Sequence, residues 1–291
     1  MDMEIANKHP LIDDAFERTI KDIGIPPRPV ILDRFKEEMR KDTPNVLRLS
    51  QIISADVSLS AGLIKVVNSP YFGLRRKVDS VGDALTMLGL AASSRAITAA
   101  CLREAFPLTP VLERFWNGSA QIAALSGWLA KNNHKSMIRA DVAYTFGLFR
   151  DIGIAILLMR YPRYVETLGR ANSETERSFT DVEQCDFQTD HARVGYVLGM
   201  NWNLPEEMCF GIRWHHDLLA IDQTDYEVTP ASQCLVATSQ TAEYILQCLT
   251  GHSSTREWQK LGPACLRILG LSEDELPAVC EAGAAILKAV E

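Results

Sequence analysis

Three short runs hold the residues of this chain best suited to chemistry: Arg150-Asp151, Asp190-His191 and His215-His216. Neutral imidazoles and carboxylates are the donors that hold a divalent metal, and a metal held that way activates water for attack on phosphorus. Such chemistry requires groups far apart in the chain to converge from different helices. Arg150 stands against it, because a guanidinium stays protonated and has no lone pair for a cation. Each group also has a structural use. Asp151 is suited to cap a helix or to pair with a cation, and Asp190 and His191 to a cap network at a helix N-terminus. His215-His216-Asp217 closes a helix, where the dipole favours a protonated histidine.

The elements that must position these groups read as helices almost throughout. Strand-like alternation is sparse, and no glycine-rich phosphate loop follows a strand. Ala143 to Met159 is a long apolar helical pattern, interrupted at Arg150-Asp151-Ile152-Gly153. Upstream, an amphipathic helix over 11–23 is stopped by Pro26, Pro27 and Pro29. Helical spacing follows in Val30, Ile31, Phe35 and Met39, and another helix begins after Thr43-Pro44. Asp56 or Ser58 caps the next, and Ser80 to Asp83 has capping-box spacing. A further helix runs over about 91–105. Pro107 and Pro110 divide the chain into an N-terminal helical part, 1–106, and a second part, 107–291.

In the second part the pattern predicts helices over 111–132, 139–159, 161–172, 190–201, 204–216, 230–250, 255–269 and 273–290. Thr180-Asp181-Val182-Glu183 reads as another capping box, and Ser272 to Glu275 opens the last helix in the same way. Pro205 suits a first helical turn with Asn203 or Leu204 as cap. From Asp225 onward the periodicity is strong but carries no readable motif. That region is suited to cover the second half or to form a dimer contact.

The 291 residues, 47% hydrophobic and 23% charged, suffice for a sizeable core. A net charge of −7 argues against a protein built mainly to bind nucleic-acid phosphates. Arg75-Arg76-Lys77, beside Tyr71 and Phe72, is the most basic run, and three consecutive charges suit a solvated turn better than a DNA contact. The longest strongly apolar stretch, Ile152 to Met159, is short of a membrane span, and the N-terminus lacks signal-peptide order, so a cytoplasmic location without a membrane is expected. Seven cysteines without a Cys-x-x-Cys pair are expected to be reduced, several of them in the core. Trp128, Trp202 and Trp214 are expected in the core.

The ordered set Asp56, Leu59, Leu63, Asn68-Ser69, Phe72-Gly73, Val81, Ala84, Leu88-Gly89 resembles the N-terminal half of an HDOD domain. Phe115-Trp116, Ser119, Gly147-Leu148-Phe149, Asp151-Ile152-Gly153, Asp190-His191-Ala192, Trp202-Asn203-Leu204-Pro205 and His215-His216 resemble its second half. The likeness covers roughly 20–218. It implies an all-α, multi-helix fold with a helical N-terminal half packed on an HD-like helical half. It also implies a bacterial regulator related to the HD-GYP cyclic-dinucleotide phosphodiesterases, without established catalysis.

Set beside that family's metal-binding relatives, this chain has lost ligands. The His of the His-Asp pair is Arg150, the histidine expected before Ser119 is Gly118, and the lysine three residues after the pair is Ile154. The late-helix carboxylate should fall near Ser239, and Glu243, one turn on, is not counted. What the resemblance leaves for a metal is Asp151, His191 and His215 or His216. Arg150 is expected to oppose a dication and to pair with Asp151 or Asp190. The expectation is a degenerate site of Arg150, Asp151, Asp190, His191, His215 and His216, with no metal and no cofactor. The function implied is a non-enzymatic signalling module acting through a protein partner, or through an anionic nucleotide anchored by Arg150. The alternative is a metal-dependent phosphohydrolase or cyclic-nucleotide phosphodiesterase with an altered ligand set.

Overall fold

The structure, a computed structural model, describes residues 23–68, 77–107, 109–133, 135–222, 228–251 and 254–290. The expected helix over 11–23, but for Ile23, and the basic loop at Phe72 to Arg76 lie outside the described residues. The N-terminal helices are α1 (Val30–Met39), α2 (Val46–Ser54), α3 (Val57–Val67) and α4 (Val81–Glu104). There follow α5 (Pro110–Asn132), α6 (Ala140–Phe149), α7 (Ile152–Arg160), α8 (Tyr164–Ser173) and α9 (Phe179–Phe187). The last group is α10 (His191–Asn201), α11 (Glu206–Trp214), α12 (Leu218–Asp222), α13 (Pro230–Thr250), α14 (Glu257–Leu269) and α15 (Leu276–Val290). Among the described residues there is no strand, as the helical periodicity predicts.

Side-chain caps set many of these boundaries. Asn45, Asp56, Ser80, Thr109, Asp190 and Thr229 each accept a backbone N–H three residues on. Three expectations shift. The capping box expected at Thr180 forms two residues earlier, where Ser178 and Asp181 cap each other's backbone and α9 starts at Phe179. Glu183 is thereby released from capping and faces inward. Pro205 is itself the cap of α11, and Asn203 before it has a positive φ of 52°. The helix expected over 139–159 breaks at Arg150-Asp151 into α6 and α7.

One apolar core runs from Ile23 to Leu269 and crosses the boundary expected at 106/107. A second cluster, Ile122, Leu125, Leu129, Ala242, Ile245, Leu246 and Leu287, joins α5, α13 and α15. The motif-free C-terminal region thus covers the HD-like half. Trp202 is fully buried and donates its indole N–H to the Pro26 carbonyl at 3.0 Å, tying α10 to the N-terminal entry. Two stretches, Val81–Glu104 and Ala140–Arg160, are long and apolar enough to cross a membrane by length and composition. The second exceeds the sequence expectation because α6 and α7 join two apolar segments, each too short alone. About half or more of each stretch is buried inside the protein.

The break at Asp151 is held by one close approach. A Cβ placed on Gly153 would lie 1.9 Å from the His191 carbonyl oxygen and 2.9 Å from its Cα. Only glycine lets the first turn of α7 lie against the first turn of α10, and that contact brings Asp151 beside His191. Gly153→Ala is expected to destabilise the protein by about 3 kcal/mol or more, since backbone must move to admit the methyl group. Gly169, exposed in α8 with nothing within 4 Å, is the control: Gly169→Ala should stabilise by about 0.5–1 kcal/mol. Equal unfolding midpoints in urea for the two variants would contradict this account.

Candidate functional site

Asp151 stands at the start of α7, His191 at the first residue of α10, and His215 and His216 just past the end of α11. Their ligand-type atoms all lie within 4.8 Å of one another. Both His191 and His215 have no solvent exposure, and Arg150 is 2% exposed. Asp151, at 18%, is the most open of the group.

Arg150 is bound on three sides. Its Nε donates to Asp151 Oδ2 at 3.0 Å, its Nη1 to Gln240 Oε1 at 3.3 Å, and its Nη2 pairs with Glu243 Oε2 at 2.8 Å. Gln240 also donates to Glu243 Oε2 at 3.1 Å. Burial works against the charge on Arg150, but Asp151 and Glu243 outweigh it and push its pKa up. Burial likewise opposes the Asp151 carboxylate, and Arg150 with His215 holds it well below the usual range. Glu243, set aside in the sequence reading, is therefore the counter-ion of Arg150. Asp190, the other partner considered for Arg150, is engaged elsewhere: it caps Arg193 and accepts from Gln184 at 2.7 Å.

The histidines are fixed by their outer nitrogens. His191 Nδ1 lies 2.7 Å from Glu183 Oε2, which also accepts the His191 backbone N–H, and Tyr164 donates its hydroxyl to Glu183 Oε1. His215 Nδ1 lies 2.7 Å from the Ile212 carbonyl. His216 Nδ1 lies 2.6 Å from Glu257 Oε2, and Lys260 donates to Glu257 Oε1. Phe179 stacks on His216 at 4.8 Å. Burial opposes the charged His191 ring, but Glu183 raises its pKa to about 9. Burial lowers the pKa of His215, and burial together with His215 takes His216 down to about 3. The dipole-favoured protonation expected for this pair therefore gives way to desolvation.

The inner nitrogens meet. A carbonyl only accepts, so His215 Nδ1 carries the hydrogen and its Nε2 offers a lone pair when the ring is neutral. An ionised Glu183 makes the same demand of His191. The two Nε2 atoms are 3.1 Å apart, and Asp151 Oδ1 is 3.0 Å from one and 3.7 Å from the other. One proton on His191 Nε2 bridges the two rings and leaves the Asp151–His215 contact without a hydrogen. A cation among the three satisfies all of them. Ligands of a tetrahedral ion, each about 2.0–2.1 Å from it, stand about 3.3 Å apart, so Asp151, His191 and His215 fit a divalent metal. The first-ligand position does not, and neither Gly118 nor Ser239, whose hydroxyl is spent on the Val236 carbonyl, adds a donor.

Sequence reading names Arg150, Asp151, Asp190, His191, His215 and His216; the structure brings five of these together, and Asp190 beside them is engaged with Arg193 and Gln184. It misses Glu183, Gln240 and Glu257 and sets Glu243 aside. Glu183 was assigned to a cap, and the others lie in the region without motif. The only available signal was negative charge or amide in otherwise apolar helical faces, such as Gln240 and Glu243 within α13.

Comparison with known proteins places this geometry in context. The HDOD domain family matches residues 25–218. An uncharacterized protein of Treponema pallidum (strain Nichols) is 27% identical over 168 residues, which are 57% of this chain and 33% of that one. The matching part thus spans about a third of that relative. The crystal structure of a protein from Shewanella amazonensis SB2B, described as a candidate phosphohydrolase, superposes with a TM-score of 0.69 at 19% identity, covering 96% of this chain and 98% of that one. One from Marinobacter aquaeolei VT8, described as a candidate signal transduction protein, gives 0.59 at 18% identity over 96% and 62%. At these identities the likeness is one of fold.

The ion-pair geometry makes a stability prediction. Arg150→Met leaves Asp151 and Glu243 buried without their cation and should cost about 3–5 kcal/mol. Adding Glu243→Met to that variant should recover part of the loss, because one of the two orphaned charges is removed. Guanidinium unfolding of the singles and the double measures this. Strictly additive losses would show that the two residues do not act as a pair.

Proposed function

The chain belongs to the HDOD domain family, and from that premise we propose that it is a non-enzymatic regulatory module acting through contact with another signalling protein. The observation that carries the reading is the guanidinium of Arg150, buried where HD-type relatives place a metal-binding histidine and tied to Asp151, Gln240 and Glu243. An internal cation there holds together helices that a metal holds elsewhere. The reading gives Arg150 a structural role rather than that of anchor for an anionic nucleotide. Burial of His191, His215 and Arg150 also supports it, since hydrolysis needs an open position for water and phosphate. Apolar side chains exposed on α1 to α3, among them Val30, Leu47 and Val57, are available for protein contact.

A second reading rests on a different observation, the three converging acceptors of Asp151, His191 and His215. Glu243 neutralises Arg150, so the positive charge weighed against a dication is largely cancelled within the site. In that reading these three residues hold a divalent metal, which when bound supplies an activated water for phosphoester hydrolysis.

Elemental analysis of protein purified without chelator, run beside hydrolysis of bis(p-nitrophenyl) phosphate and cyclic dinucleotides with added manganese or iron, separates the two. The expected outcome is no turnover under any metal condition. Metal bound without turnover would leave the regulatory reading in place with a structural ion. Turnover that disappears in Asp151→Ala would overturn it in favour of the hydrolase.

A further inference from the structure

A cavity of 740 Å³ opens between α3, α4, α5 and α6, away from the histidine site. Its size is that of a small-molecule pocket. It lies where the N-terminal half meets the HD-like half. Small side chains make its apolar wall: Ala99 and Ala100 on α4, and Ala120 and Ala124 on α5. Among the described residues its charged lining is all cationic, Lys65, Lys77 and Arg103, in a chain whose net charge is −7. The amides of Asn117 and Gln121 complete the α5 side.

Two buried donors in this wall have no hydrogen-bond partner among the described residues. Trp116 is 5% exposed and its indole Nε1 makes no hydrogen bond. The Nη1 of Arg103 is likewise buried and unbonded. The two side chains are neighbours, the Arg103 guanidinium lying 5.3 Å from the Trp116 ring centre. Buried donors are almost always satisfied, so a pair of unsatisfied ones beside a cavity marks a place for an acceptor. Burial lowers the pKa of Arg103, with Glu113 pulling the other way, and the group remains a cation.

The site is held in shape before any ligand arrives. Asn68, at the end of α3, donates to the Val78 carbonyl at 2.6 Å and accepts the Val78 N–H at 2.8 Å, which fixes Lys77 at the rim. A Cβ on Gly62 would lie 2.9 Å from Ala100 Cβ, so α3 and α4 are in close contact below it.

We propose that this cavity binds an organic anion with the chemistry of a nucleoside phosphate. Its anionic oxygens meet Arg103, the Trp116 N–H and the rim lysines, and its flat ring lies on the alanine wall with the amides at its edge. The site is separate from the Arg150 knot and does not depend on how that region is assigned.

Isothermal titration of the full chain with AMP, GMP and inorganic pyrophosphate tests the proposal. AMP or GMP should bind with one site per chain, and guanosine and adenosine at least tenfold more weakly. Arg103→Gln, Trp116→Phe and the double variant Lys65→Gln with Lys77→Gln should each weaken nucleotide binding at least tenfold, and Ala120→Trp should abolish it. Arg163→Gln, which removes an exposed cation outside the cavity lining, should leave it unchanged. The lysines are exposed, so their double variant keeps the test decisive if a buried substitution disturbs folding. Three results would overturn the proposal: no saturable binding of any of these probes at millimolar concentration, binding that survives Ala120→Trp or the loss of the cations, or binding weakened equally by Arg163→Gln.

Discussion

The buried guanidinium of Arg150 is the constraint on which this fold turns. A charge taken out of water must be met by counter-charge and by acceptors in good geometry. Here Asp151 supplies one, from the start of α7, and Glu243 and Gln240 supply the others, from α13. The C-terminal region is thereby joined to the centre of the HD-like half. The same pairing orients Asp151, whose second oxygen faces the two histidines. The arginine is therefore the centre of a set of contacts that spans several helices.

Around that centre, each imidazole is positioned by an acceptor on its outer nitrogen: Glu183 for His191, the Ile212 carbonyl for His215 and Glu257 for His216. This is the arrangement by which metal-binding histidines are usually oriented. It persists although the first-ligand position is an arginine. The site keeps the support of a metal centre while closing over it, and those two properties pull the functional reading in different directions.

Much of this was legible in the chain. The helical periods, the proline stops and most caps follow from local chemistry, and the ordered motifs select the family over residues 25–218. The positions of Asp151, His191 and His215 followed from motif. Glu183 did not, because Thr180 offered a plausible cap and hid the competing one at Ser178, two residues earlier. Glu243 and Glu257 did not either. Their role depends on where α13 and α14 dock, which is a long-range packing result with no local signature. The tautomer conflict at the two Nε2 atoms is likewise invisible without coordinates, since it arises from distances of about 3 Å between residues far apart in sequence.

The join between α6 and α7 has a further consequence for how the stretch would behave in an apolar medium. Ala140–Arg160 is apolar and long enough, by length and composition, to span a bilayer. Arg150 and Asp151 fall at its midpoint, where each charge opposes insertion by about 2.5–3.5 kcal/mol. The two charges that pair in the finished fold thus also make this stretch less favourable in lipid than its length and composition suggest.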